Sequence, residues 1–217
     1  MTYAVDMVLV FMILSNMALL GSSRLAVCIR IAAAQAMVLS ALPLLVSQHG
    51  FGPELLRALL LGVVIFVLKG LVFPRMLHNA LRTANVRHEV EPFLGYAASL
   101  LLGIVVLVLS FYVASRLVLP HPSVSPLMLP LALSTILIGL VLIITRRTAL
   151  MQVVGYLVLE NGCYIFGIAL AEDQPLLVEM GILLDVFVAV FAMGIAIFHI
   201  SREFDHIDVD QLTSLKD

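Results

Sequence analysis

The segment ALMQVVGYLVLENGCYIFGIALA, residues 149–171, decides how the chain is read. It is apolar over the roughly 20 residues that a bilayer-spanning helix needs, yet Glu160-Asn161 interrupts it near the middle. Working outward, comparable apolar runs lie at approximately 3–22, 25–46, 54–77, 93–117, 125–145 and 176–199. Breaks fall at Ser22-Ser23-Arg24, from Ser47 to Pro53, from Pro74 to Pro92, at His121-Pro122-Ser123, at Arg146-Arg147 and from Glu172 to Pro175. The expectation is an all-α, polytopic integral membrane protein of about seven transmembrane helices.

Composition agrees. The 217 residues are 62% hydrophobic and only 12% charged, with a mean hydropathy of +1.14. A soluble domain carries about 25% charged residues, so too few polar groups exist here to coat one. Seven spans leave no room for a separate soluble domain. A net charge of −2 suggests no nucleic-acid surface. The opening MTYAVDMVLVFMILSNMALL lacks a basic leader and a small-residue cleavage site, so it reads as a retained first span. Cys28 and Cys163 lie in apolar runs without metal-ligand spacing and read as packing residues.

Arg24, Arg75, Arg82, Arg87, Arg146 and Arg147 all fall on breaks of one parity. The other parity holds Arg57 and Arg116 with the acidic Glu54, Glu172 and Asp173. The positive-inside rule then puts the N-terminus outside and the C-terminus inside.

The informative residues are ionisable or polar groups inside spans. Counting about 1.5 Å per residue, Glu160 lies roughly 15 Å from either end of the sixth span. On the same count, Asp185 is roughly 14 Å into the seventh, Lys69 roughly 12 Å into the third and Gln35 roughly 15 Å into the second. A belt at one depth is what a lateral proton path or ion site requires, with Asn161 and Tyr164 supplying hydrogen bonds or holding water. The competing reading is interhelical glue. Glu179 lies near a boundary, where snorkelling explains it as well as a place on the proton or ion path does; Asp6, Arg30 and His199 lie near boundaries too, where snorkelling suffices. Gly155, Gly162 and Gly167 suit close helix approach, Pro43 and Pro74 suit kinks or ends, and Ser134 and Thr135 suit intrahelical donation. No phosphate loop, metal cluster or nucleophile triad is present in the sequence.

Arg146-Arg147-Thr148, the span holding Glu160-Asn161 and the ending HIDVDQLTSLKD resemble the three-helix K subunit of respiratory complex I and its antiporter relative. Leu157 and Phe187 stand where that family has glutamates, so roles carry over by helix and depth. The whole chain resembles component E of hydrogenase-4, through GYLVLENG, the DVFVAVFAMG run after Glu179-Met180-Gly181, DVDQLTSLK and Lys69 five residues before Pro74. The resemblance implies a four-helix membrane extension over 1–120 and a K-like three-helix unit with a short cytoplasmic tail over 121–217. It implies a subunit, not catalytic alone, of a group 4 nickel–iron hydrogenase of formate hydrogenlyase type in a bacterial or archaeal cytoplasmic membrane. Glu160 and Asp185 would exchange protons, Lys69 would modulate them, and Asn161 would orient water or the Glu160 carboxylate. Implied partners are antiporter-like and other membrane subunits, peripheral hydrogenase subunits and lipid. This chain would bind no cofactor, the nickel–iron centre and iron–sulfur clusters residing on partners. Alternatives are a component of a cation/proton antiporter or quinone-linked enzyme, a purely structural scaffold and, last, a stand-alone transporter.

Overall fold

The computed structural model describes residues 2–46, 53–83, 93–117 and 124–170, and among these every regular element is helical. The elements are α1 (Thr2–Gly21), α2 (Leu25–Leu39), α3 (Leu42–Val46), α4 (Pro53–Ile65), a π-helical segment (Phe66–Val72), α5 (Phe73–Thr83), α6 (Tyr96–Arg116), α7 (Met128–Thr145) and α8 (Ala149–Leu170). They form six helices long and apolar enough to cross a membrane: Tyr3–Gly21, Leu25–Val46, Ala58–Asn79, Tyr96–Arg116, Met128–Thr145 and Ala149–Leu170. The protein is a multi-pass helical membrane protein. The expected seventh span at 176–199, with Glu179 and Asp185, lies outside the described residues.

Two prolines shape the second and third spans differently. A prolyl ring donates no hydrogen bond and crowds the carbonyl four residues back. Pro43 does this to Leu39, where α2 ends; Ser40 N–H bonds back to Ala36 O and Ala41 N–H to Val38 O before α3 resumes. Pro74 follows the π-helical segment, whose last turn is closed by Phe73 N–H donating to Leu68 O, five residues back. Widening the helix one turn upstream relieves crowding at Gly70 O without ending the span. Lys69 sits at the middle of that widened turn.

Two apolar clusters fill the bundle. One joins Leu19 and Leu20 of α1, Ile29 and Ala32 of α2, Leu77 of α5, Ile138 and Leu142 of α7, and Val154 and Val158 of α8. The other joins Leu9 and Met12 of α1, Leu39, Leu42, Met128 and Leu131 of α7, and Ile165 of α8. Between them along each chain segment lie polar residues: Ser15-Asn16, Gln35, Ser134-Thr135 and Glu160-Asn161.

Lipid tails are as apolar as the helix surfaces, so helices associate by close packing rather than by leaving water. Small residues make this possible where α7 meets α8. A Cβ on Gly139 would sit 2.5 Å from Leu159 N, and one on Gly162 would sit 2.6 Å from Ile136 N. Gly155 is similarly tight, at 2.9 Å from Ile143 N. The same expectation fails for Gly167, where a Cβ would meet nothing within 4 Å among the described residues, because five residues past Gly162 the helix has turned that position away from the face that meets α7. On α6 only the stripe Ser99, Gly103, Val106 and Ser110 turns inward, while Leu101, Ile104, Val105, Val108 and Leu109 are exposed.

Gly139→Ala and Gly162→Ala are each expected to destabilise the fold by about 1–3 kcal/mol, the usual range for overpacking. Gly167→Ala is expected to stay within about 0.5 kcal/mol, as surface changes do. Thermal unfolding of the purified protein in detergent or nanodiscs checks the contrast.

Candidate functional site

The centre of the site is an ion pair between distant parts of the chain. The widened turn directs Lys69 inward, and its Nζ lies 3.2 Å from Glu160 Oε2 of α8. The two side chains are only 6% and 5% exposed. An isolated charge at bilayer depth costs roughly 2.5–3.5 kcal/mol on insertion scales. Pairing offsets much of that, so each partner is the condition for the other's burial. Lys69 and Glu160, which depth places at one level, are thus brought into contact.

Gln35 is drawn elsewhere. It is fully buried, and its Nε2 donates to Ser15 Oγ and to Asn16 Oδ1, both at 2.8 Å. Asn16 Nδ2 in turn donates to Thr135 Oγ1 at 3.0 Å. These bonds link α1, α2 and α7 in one transverse network. Ser134 donates within its helix to Leu131 O, as expected, and Thr135 accepts from another helix, a contact its reading as an intrahelical donor did not include. Asn161 is 1% exposed at the same level. Tyr164 is half-buried one turn beyond Glu160. α2, which carries Gln35 of the network, packs against both the π-helical segment that bears Lys69 and α8 that bears Glu160. Glu179 and Asp185 lie outside the described residues.

Three sets of contacts were not legible in the sequence. Ser15 and Asn16 carry no charge and sit closer to one end of their span. Asp6 accepts a hydrogen bond from Ser125 Oγ at 2.6 Å, tying the start of α1 to the approach to α7. Arg146, expected as a loop charge, is wholly buried. Its Nη2 donates to Leu20 O at 2.7 Å and its guanidinium lies 4.9 Å from the Tyr96 ring centroid. It thereby satisfies a carbonyl in the last turn of α1, where backbone acceptors lack helical partners. Its neighbour Arg147 stacks on Phe93 at 4.3 Å and remains exposed. Among the described residues no group of three or more His, Cys, Asp or Glu could hold a metal ion.

Fold and site together define a polytopic helical membrane protein that encloses a charged pair in its apolar core. The chain belongs to the hydrogenase-4 component E family. Hydrogenase-4 component E of Escherichia coli K12 is 32% identical over 151 residues, covering 70% of each chain, and the Shigella flexneri protein of that name matches equally. An uncharacterized protein of Mycobacterium tuberculosis is 30% identical over 207 residues, covering 95% of this chain and 93% of that one. Residues 127–217 match the family described as NADH-ubiquinone/plastoquinone oxidoreductase chain 4L. No solved structure matches.

Breaking a buried pair by removing one partner costs about 3–5 kcal/mol, while replacing both is often neutral. Lys69→Met alone should therefore lower the yield and thermal stability of the folded protein sharply. Adding Glu160→Gln to Lys69→Met should restore most of that loss in the same assay.

Proposed function

We propose that this chain is a non-catalytic membrane-arm subunit of a group 4 nickel–iron hydrogenase complex of formate hydrogenlyase type. Within it, the Lys69–Glu160 pair takes part in moving protons, or another ion, in step with electron transfer. Membership in the hydrogenase-4 component E family supports the first statement, and the match of residues 127–217 to a respiratory oxidoreductase chain supports a complex I-like assembly. The observation that carries the second is a carboxylate and an ammonium 3.2 Å apart inside the bundle.

The chemistry follows from that contact. With Glu160 ionised the pair is neutral overall; when a proton arrives on the carboxylate, the site gains one positive charge. In a low-dielectric interior such a charge step is felt strongly by neighbouring ionisable groups. A single protonation can thus be transmitted to groups on adjacent subunits. Asp185 and Glu179, on the segment beyond α8, are further exchange carboxylates in this reading, and Asn161 orients the Glu160 carboxyl or its water. Antiporter-like membrane subunits flank the chain, and peripheral subunits hold the nickel–iron and iron–sulfur groups. The membrane is the cytoplasmic membrane of a bacterium or archaeon, with the N-terminus outside, as the arginine distribution indicates.

In the assembled complex, Glu160→Gln is expected to reduce ions moved per electron pair at least about tenfold, the scale that about 1.4 kcal/mol sets. Turnover and ion movement are followed separately in vesicles after assembly is verified. Both rates unchanged in an intact complex would reject the role of Glu160 and favour a scaffold.

A further inference from the structure

The transverse network has a direction. Both amide hydrogens of Gln35 are used, one on Ser15 Oγ and one on Asn16 Oδ1. Asn16 Nδ2 donates in turn to Thr135 Oγ1, with Asn16 Oδ1 facing Gln35. Ser15 Oγ already donates to Met12 O and so accepts from Gln35. The carboxamide of Gln35 is therefore pinned with Oε1 as its outward atom. That oxygen is buried and has no hydrogen-bond partner among the described residues.

Asn161 Oδ1 is in the same condition. Asn161 shares a face of α8 with Val158 and Ile165, three residues before it and four after. Val158 belongs to the cluster that contains Ala32, and Ile165 to the one that contains Leu39. Gln35 is the α2 residue between Ala32 and Leu39 that carries a polar side chain. The two carbonyl oxygens thus lie at one level on packed helices. The π-helical segment that bears Lys69 packs against α2 as well.

We infer that Gln35 Oε1 and Asn161 Oδ1 form a second, carbonyl-lined seat for the Lys69 ammonium, occupied when Glu160 takes up a proton. Ser15, Asn16 and Thr135 are its positioning residues. The inference rests on reading Lys69–Glu160 as an exchanging pair. A proton added to Glu160 removes the charge that faces the ammonium in this buried site, and neutral carbonyl dipoles are groups that can then help to solvate it. No bond to carbon or nitrogen is made or broken; the ammonium keeps its three hydrogens and changes acceptors. The widened helical turn that bears Lys69 supplies a stem for that movement.

Two measurements on the assembled complex decide it. In a cryo-EM structure of Glu160→Gln, which mimics the protonated carboxyl, Lys69 Nζ is expected within hydrogen-bond distance of Gln35 Oε1 or Asn161 Oδ1. Lys69 still seated at residue 160 would overturn the inference. The second needs no change at Glu160. Gln35→Met, and Asn16→Ala through Gln35, are expected to lower ions moved per electron pair at least about fivefold, the low end of coupling between sites. A ratio unchanged by Gln35→Met while Glu160→Gln abolishes coupling would overturn the seat and leave the proposed function standing. Should Glu160→Gln leave coupling intact, the proposed function fails, and the position of Lys69 alone decides the seat.

Discussion

An ammonium and a carboxylate in contact inside an apolar bundle constrain everything around them. An ionised Lys69 or Glu160 at this depth is stabilised chiefly by the other, because a lone charge there is poorly solvated. The third span and α8 are therefore locked in rotation and in height. Contact at 3.2 Å fixes which face of each helix turns inward, and α2, packed on both, is held between them. The widened turn at Phe66–Val72 fits the same constraint, since it carries Lys69 at its middle and lets the span pass Pro74 without stopping.

The remaining packing insulates this layer. One apolar cluster lies to either side of it along the helices, and the α7–α8 contact closes tightly over Gly139, Gly155 and Gly162. Interhelical hydrogen bonds in membranes average only about 0.6 kcal/mol, so the Gln35–Asn16–Thr135 network contributes less to stability than to orientation. That division suits the proton exchange proposed for the site: close packing holds the frame, and the polar groups at the centre set orientation. The buried Arg146 belongs to the frame, joining the end of α1 to the connection between α7 and α8.

Most of the frame was legible in the sequence, because span length is set by bilayer thickness and polar punctuation marks the ends. Depth was legible too, since rise per residue converts position into height. Azimuth was not. Height placed Lys69, Glu160 and Gln35 at one level, but only rotation about each helix axis decides that the first two touch and that Gln35 bonds to α1 instead. Asn16 escaped notice because counting places it only about 9 Å from one end of its span. The acceptor role of Thr135 toward Asn16 was not legible, because an intrahelical acceptor is available to any helical threonine and gives no sign of a remote partner. Gly167 showed the limit of composition, as a small residue permits close approach without causing it. Burial of Arg146 needed Tyr96 and Leu20, which are remote in sequence.

The central claim is that a buried charge pair organises the bundle. A side-chain-resolution structure of the protein within its complex, in a lipid nanodisc, tests it most directly. The account predicts Lys69 and Glu160 in contact midway between the two headgroup layers, shielded from lipid on every side. Finding the two side chains apart, each turned to lipid or to a different neighbouring subunit, would contradict it.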